Sequence, residues 1–240
     1  MFNFLKSSPK QPIEESLELV SLHIPKTAGT SFRNTLYSEY GRKSVLRVDV
    51  RIRKEPIIEI EQKLIDPSSP RLPDGIRVVH GHFRVVDLHR HFPVTKGLPM
   101  ITWLRDPVER VLSNYYYLSK RLREEVGNNA QALSLIKRLE RSLIEYARRR
   151  PNRNRMTQFL EGTKLEDYLF VGIQEHYSED IKALSQLMGW KTAKEYNFNA
   201  SKKDRNIDPA ILEEIKALNS EDVALYEAGL ALRAARTQNK

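Results

Sequence analysis

The chain has 240 residues, 40% of them hydrophobic, which suits one α/β domain with a well-buried core. Its formal charge of +9 favours acidic partners, and the absence of cysteine excludes disulfides and thiolate chemistry. No apolar run approaches the roughly 20 residues that a membrane span needs. The polar start Met1-Phe2-Asn3-Phe4-Leu5-Lys6 is too short for a signal peptide, so a bacterial, cytoplasmic protein is the expectation.

Residues 1–16 read as a flexible lead, and 17–240 as a single domain. Leu17, Leu19, Val20, Leu22 and Ile24 form an apolar run that predicts a buried strand, with His23 packed inside it. The strand ends in a short loop, Pro25 to Ser31, with one lysine, one glycine and three hydroxyl residues. A helix-compatible segment follows as far as Gly41. Strand, tight loop and helix N-terminus together make an anion site, because unpaired backbone N–H groups and the positive end of the helix dipole converge there. Lys26 adds a point charge, Thr27, Thr30 and Ser31 add hydroxyls, and Ala28 and Gly29 add backbone donors. The loop departs from the Walker A pattern, since Lys26 precedes Gly29 and no glycine opens the loop. The plainer alternative is a turn with a surface lysine.

A short strand is expected at 44–48 and a helix at 57–64, then a loop through Asp66-Pro67 and Pro73-Asp74-Gly75. Ile76, Val78 and Val79 predict a strand whose end carries His80-Gly81-His82. Residues two apart on a strand share a side, so the two imidazoles can act together on a hydroxyl proton. His82 is the expected base, with His80 assisting or orienting the acceptor. A packed core histidine at position 80 and a zinc site with His89 and His91 are the competing readings. Residues 87–92 read as a short helix or turn, with His89 and His91 facing solvent.

Pro99 to Leu104 form another strand, with Arg105 at its carboxyl end, where open α/β sheets bind ligands. Pro107 suits the first turn of the next helix. Arg105 can grip a phosphate through a bidentate fork and Ser113 can donate to the same group. Arg110 is a weaker ligand or a loop-orienting residue, and an Arg105–Asp106 turn salt bridge is the alternative. Between Lys120 and Arg155 lies a basic helical insert with an apolar stripe at Leu135, Leu139, Leu143 and Ile144. Most of its cations read as a solvated face, while the 148–155 end, with Arg153 and Arg155, is positioned for an anionic acceptor. A last strand is expected at 168–173 and helices near 178–188, 209–218 and 221–235. This alternation predicts an α/β fold with a mainly parallel sheet covered on both faces.

Two motifs now carry a resemblance. Pro25-Lys26-Thr27-Ala28-Gly29-Thr30-Ser31-Phe32 after a strand resembles the 5′-phosphosulfate loop of sulfotransferases that use 3′-phosphoadenosine 5′-phosphosulfate (PAPS). Arg105-Asp106-Pro107-Val108-Glu109-Arg110-Val111-Leu112-Ser113 is similar to their 3′-phosphate motif. His80-Gly81-His82 resembles the catalytic position of the heparan and uronyl 2-O-sulfotransferase group. Weaker likenesses lie at 156–162, 172–184 and 199–203, the last with Lys202 and Lys203 near the nucleotide. The resemblance implies a P-loop-like three-layer fold and O-sulfotransferase activity with PAPS as donor and no metal. It implies a hydroxyl-bearing, carbohydrate acceptor and no nucleic acid. Lys26, Thr27, Ala28, Gly29, Thr30, Ser31, Arg105 and Ser113 would hold the donor, and Lys26, His82 and His80 would act in catalysis. A P-loop kinase and a non-enzymatic binder of acidic polymers are the rival classes.

Overall fold

The computed structural model describes residues 17–51, 56–127, 142–191 and 206–238. The expected lead, Leu135 and Leu139 of the insert, and Lys202 and Lys203 lie outside these residues. Strands β1 (Leu19–Leu22), β2 (Val45–Arg51), β3 (Ile57–Ile60), β4 (Lys63–Ile65), β5 (Val78–Gly81), β6 (Met100–Leu104) and β7 (Phe170–Ile173) make one sheet. Their order is β4-β3-β2-β5-β1-β6-β7. The run from β2 to β7 is parallel, and β3 and β4 add an antiparallel edge.

The parallel strands are apolar because both faces are covered: every residue of β1, β5, β6 and β7 is buried. Eight helices are described, α1 (Gly29–Tyr40), α2 (Val85–His91), α3 (Pro107–Gly127), α4 (Leu143–Ala147), α5 (Arg155–Leu160), α6 (Tyr177–Met188), α7 (Pro209–Ala217) and α8 (Ser220–Gln238). Phe32 and Leu36 of α1 and Ile181 and Leu184 of α6 pack on Leu19, Val78, Ile101 and Trp103. Across the sheet, Leu88 of α2, Phe159 and Leu160 of α5 and Leu225 of α8 meet Val20, Leu22, Val79 and Leu104. Leu19 and Val20 thus serve opposite layers, as strand alternation requires. Each such fully buried side chain stabilises the fold by roughly 1.5–3 kcal/mol. The result is the expected three-layer, P-loop-like α/β architecture.

The helix expected at 57–64 is instead the β3–β4 hairpin. Ile57, Ile58, Ile60 and Leu64 fit helical spacing, but Glu61 and Gln62 take φ of 47° and 69°. Two consecutive positive φ values turn the chain back in a two-residue loop whose twist matches paired strands. Glu61 N donates to Arg47 O at 2.9 Å, and Arg47 N to Glu61 Oε1 at 2.7 Å, which ties the turn to β2.

Among the described residues of the insert, Lys120, Arg121, Arg148, Arg149 and Arg150 are exposed, as expected of a solvated face, while its apolar residues pack inward. Val111, Leu112, Tyr146, Ala147 and Ile215 form a small core between α3, α4 and α7, with Leu143 and Ile144 packed against it. Arg148 pairs with Glu214 of α7 at 2.6 Å. His89, expected in solvent, is half-buried: Thr95 Oγ1 donates to Phe92 O at 2.7 Å, so His89 Nδ1–H donates to Thr95 Oγ1 at 2.8 Å.

Candidate active site

The chain reverses its direction across the sheet at β1, which lies between β5 and β6. At such a switch point the loops after neighbouring strands diverge and leave a crevice at their carboxyl ends. The loop after β1, His82 after β5 and Arg105 after β6 all stand at that edge. The three sequence motifs therefore converge on one place.

The loop after β1 is a backbone device. Lys26 and Ala28 hold φ of 73° and 69° although neither is glycine, a conformation that costs of order 1–3 kcal/mol each. Ala28 is the N-cap of α1 and offers no side-chain hydrogen bond, so the first-turn N–H groups of α1 have no side-chain cap. Unpaired N–H groups at a helix start attract an anion. Thr27 is buried and spends its hydroxyl on Ile24 O at 2.9 Å, which leaves its role to the backbone; Thr30 is exposed and Ser31 buried.

Lys26 Nζ sits 4.1 Å from the centroid of the Tyr117 ring. Burial and then the neighbouring Arg105 charge push its pKa below the usual lysine value. Ser113 and Tyr117 are four apart on α3 and so share a face. Arg105 Nη1 donates to Lys26 O at 3.2 Å, which ties the two motifs together. Its guanidinium also faces Glu109 at 3.5 Å and Glu175 at 3.9 Å. Asp106 caps α3 by accepting Glu109 N–H at 2.9 Å. Glu175 accepts from Asp106 N and from Tyr226 of α8, each at 3.1 Å.

Three imidazoles stack along the other side. His23 lies 4.2 Å from His82 and 5.2 Å from His80 between ring centroids. His23 also touches the loop, because a Cβ added to Gly29 would stand 1.8 Å from its ring. One side chain therefore joins the anion loop to the expected base. His82 Nδ1 lies 2.6 Å from His23 O. A carbonyl only accepts, so Nδ1 carries the proton and Nε2 keeps its lone pair. Burial is the largest influence on His82 and holds its pKa below the usual imidazole value, with Asp49 and the His23 carbonyl opposing it.

His80 is buried, with Nδ1 2.9 Å from Ser21 Oγ. Its Nε2 has no hydrogen-bond partner among the described residues. Its place is beneath the site, against His23, and not at the crevice surface.

Gly29→Ala is expected to cost about 1–3 kcal/mol of stability through this contact and to weaken anion binding. Thermal melting with and without the desulfated nucleotide checks both. Acid should also destabilise the fold. Burial drives the pKa of His23 and His80 well below the ordinary value. As pH falls below about 6.5, the unfolded chain takes up protons that the native imidazoles refuse. Stability then drops by up to about 1.4 kcal/mol per pH unit for each such group. Urea unfolding at pH 7 and pH 5.5 checks this, and equal midpoints would contradict it.

The arginines of the insert divide. Arg155 lies 4.7 Å from the Phe159 centroid, and Phe159 is 6.3 Å from His82. Arg153 donates to Arg148 O. Arg110 is almost fully buried and faces Asp222 at 3.8 Å. Asp222 accepts the Met156 and Thr157 N–H groups at 3.1 and 2.8 Å. Arg110 and Asp222 thus dock the start of α5, which sets Arg155 and Phe159 beside His82. His23, Tyr117 and Glu175 are site residues the sequence reading does not name; Tyr117 has a local signal in its helical spacing from Ser113, and Glu175 in its place within the 172–184 likeness.

Among the described residues, no group of three or more His, Asp or Glu side chains is arranged to hold a metal ion. Nor is any helix of the described residues long and apolar enough to cross a membrane. The donor set is cationic and N–H-rich, which fits a doubly charged phosphate or phosphosulfate. The fold is an α/β protein of P-loop-like architecture whose uncapped β1–α1 loop lies at the sheet's switch point.

A sequence model of the sulfotransferase family matches residues 12–227. The chain belongs to that family. Heparan sulfate 2-O-sulfotransferase 1 of Cricetulus griseus is 29% identical over 109 residues, covering 44% of this chain and 30% of that protein. Heparan sulfate 2-O-sulfotransferase hst-2 of Caenorhabditis elegans is 32% identical over 124 residues, covering 48% and 36%. The matched part of the chain thus spans about a third of the length of these relatives. A crystal structure of a sulfotransferase from Alicyclobacillus acidocaldarius aligns with a TM-score of 0.46 and 17% identity, over 88% of this chain and 94% of that one.

Proposed function

We propose that the protein transfers a sulfuryl group from PAPS to a hydroxyl of a carbohydrate acceptor. The observation that carries this reading is His23, whose ring contacts both Gly29 of the anion loop and His82. An activated sulfuryl group and an acceptor hydroxyl need these two neighbours, an anion cradle and a base, within one small crevice.

PAPS supplies a sulfuryl group on a phosphate leaving group. The N–H groups from Thr27 to Ser31, with Lys26, hold the 5′-phosphosulfate, and Arg105 and Ser113 hold the 3′-phosphate. Glu109 and Glu175 keep the Arg105 guanidinium aimed at the crevice. His82 accepts the acceptor's hydroxyl proton at Nε2, the nitrogen that the His23 carbonyl leaves available. Lys26 neutralises charge at the oxygen of the departing phosphate, a contribution of roughly 3–4 kcal/mol for one preorganised donor. His80 supports the stack from below. Arg155, and at greater remove Arg153, receive the anionic groups of a uronic or sulfated sugar. Residues 17–240 act as one catalytic unit, and a cytoplasmic site of action belongs to the same reading, testable by cell fractionation.

Thermal shift tests the donor assignment. Adenosine 3′,5′-bisphosphate without metal is expected to raise the melting temperature by several degrees, with ATP and magnesium doing less. Stabilisation by ATP and magnesium alone would favour a kinase.

A further inference from the structure

We propose that Asp49 is a positioning residue that sets both the aim and the basicity of His82. The proposal rests on the reading of His82 as the base. Asp49 lies on β2, which runs parallel to β5 with Arg47 opposite His80. Just past the end of β5, Val50 N donates to His82 O at 2.9 Å. The His82 N–H does not return to a β2 carbonyl; it donates to Asp49 Oδ1 at 2.9 Å. The other carboxylate oxygen accepts from Arg47 Nη2 at 2.7 Å.

The approach of the two strands is enforced by Gly81. A Cβ there would stand 1.8 Å from Val48 O and 3.1 Å from Asp49 Oδ1. Only glycine lets β2 bring the carboxylate against the His82 backbone. Asp49 is itself buried, and burying a carboxylate is costly unless the charge is paired and hydrogen-bonded. Asp49 meets that condition through Arg47 and the His82 N–H, and a charge held in place this way serves a purpose beyond closing the strand end.

That purpose is visible in what surrounds the imidazole. His82 is held by Asp49 of β2 through its backbone, its ring lies 4.2 Å from that of His23, and the charges of Arg47 on β2, His80 on β5 and Arg155 on α5 act on it. Arg47, Arg155 and burial all disfavour the protonated ring, and Asp49 is the one carboxylate in that set. It keeps the base strong enough to take a hydroxyl proton, while the His23 carbonyl fixes which nitrogen does so.

The test is the titration of the His82 ring, followed by NMR in the full-length protein without donor, beside the acid limb of kcat/KM. Asp49→Asn keeps an oxygen for the His82 N–H and removes the charge. Its His82 midpoint is expected to fall by about half a pH unit or more. The acid limb should move with it, kcat should drop several-fold, and affinity for adenosine 3′,5′-bisphosphate should stay unchanged. Arg47→Gln should move the midpoint upward, a reversal of sign that a purely structural role for β2 would not produce. An unchanged midpoint in a cooperatively folded Asp49→Asn overturns the proposal. If that variant does not fold, an unchanged midpoint in Arg47→Gln overturns it. A midpoint that moves while the acid limb stays fixed upholds the coupling of Asp49 to His82 and removes His82 as the base.

Discussion

Lys26→Ala is expected to lower kcat by a factor of about 10²–10³, the usual loss when one preorganised donor is removed from a developing negative charge. Affinity for adenosine 3′,5′-bisphosphate should fall as well, because the ammonium sits beside the loop proposed to hold the 5′-phosphate. The fold should tolerate the change. Lys26 makes a cation–π contact with the half-exposed Tyr117 ring, worth about 0.5–1 kcal/mol at such a site. The positive φ of residue 26 persists in the variant, since alanine meets the same backbone penalty as lysine. Loss of turnover with the melting temperature lowered by no more than about 2–4 °C would therefore report on chemistry. Retention of full turnover would remove Lys26 from the mechanism. Rescue by Lys26→Arg is expected to be poor, because a planar fork cannot replace a compact point charge in this narrow loop.

His82→Ala is expected to lower kcat by a factor of about 10²–10⁴, the range for loss of a positioned general base, while nucleotide affinity stays within about twofold. The separation follows from the architecture. The His82 ring meets the loop through His23, and the backbone ties of residue 82 to β2, its N–H to Asp49 and its C=O accepting from Val50 N, are ones that alanine keeps. The native pH profile should show kcat constant near neutrality and falling on the acid side of the ordinary imidazole value. The sign follows from the base being active when neutral and from burial depressing its pKa. Isothermal titration with adenosine 3′,5′-bisphosphate, run beside single-turnover assays, distinguishes the two variants. Lys26→Ala loses both binding and rate, His82→Ala only rate.

The elements that carry the proposed anion site were legible because each closes a short, mostly apolar stretch. Leu19 to Ile24, interrupted by Ser21 and His23, and Met100 to Leu104, interrupted by Thr102, read as buried strands, which puts the polar residues after them, Lys26 and Arg105, at the sheet's edge. Gly41 and Pro107 marked helix boundaries by their backbone preferences. The hairpin at β3 and β4 was not legible. Its isoleucines satisfy a helical period as well as a strand's, and the Glu61-Gln62 turn lacks the glycine or asparagine that usually announces two positive φ angles.

Pairing across the sheet was invisible for a different reason. Arg47 and Asp49 alternate with Val48 and Val50, which gives β2 a polar side, but nothing local says that β2 lies against β5. Only the strand order puts Asp49 on the His82 backbone. Arg110 and Asp222 likewise meet at 3.8 Å from distant parts of the chain. A helical repeat places Arg110 on α3 and tells nothing of its partner. His23 was readable as a packed strand residue, and its second contact, with Gly29, appears only once the loop has closed over it.

The proposed function requires this crevice to bring a sulfuryl donor and a deprotonated hydroxyl together. Radiolabelled PAPS, incubated with the protein and a panel of desulfated uronic-acid glycans, neutral glycans and small alcohols, tests it most directly. Label should pass to a glycan hydroxyl with one desulfated nucleotide formed per sulfate transferred, and both Lys26→Ala and His82→Ala should abolish the transfer. A wild-type protein that binds the desulfated nucleotide yet moves no label to any acceptor, or variants that move it at the wild-type rate, would contradict the account.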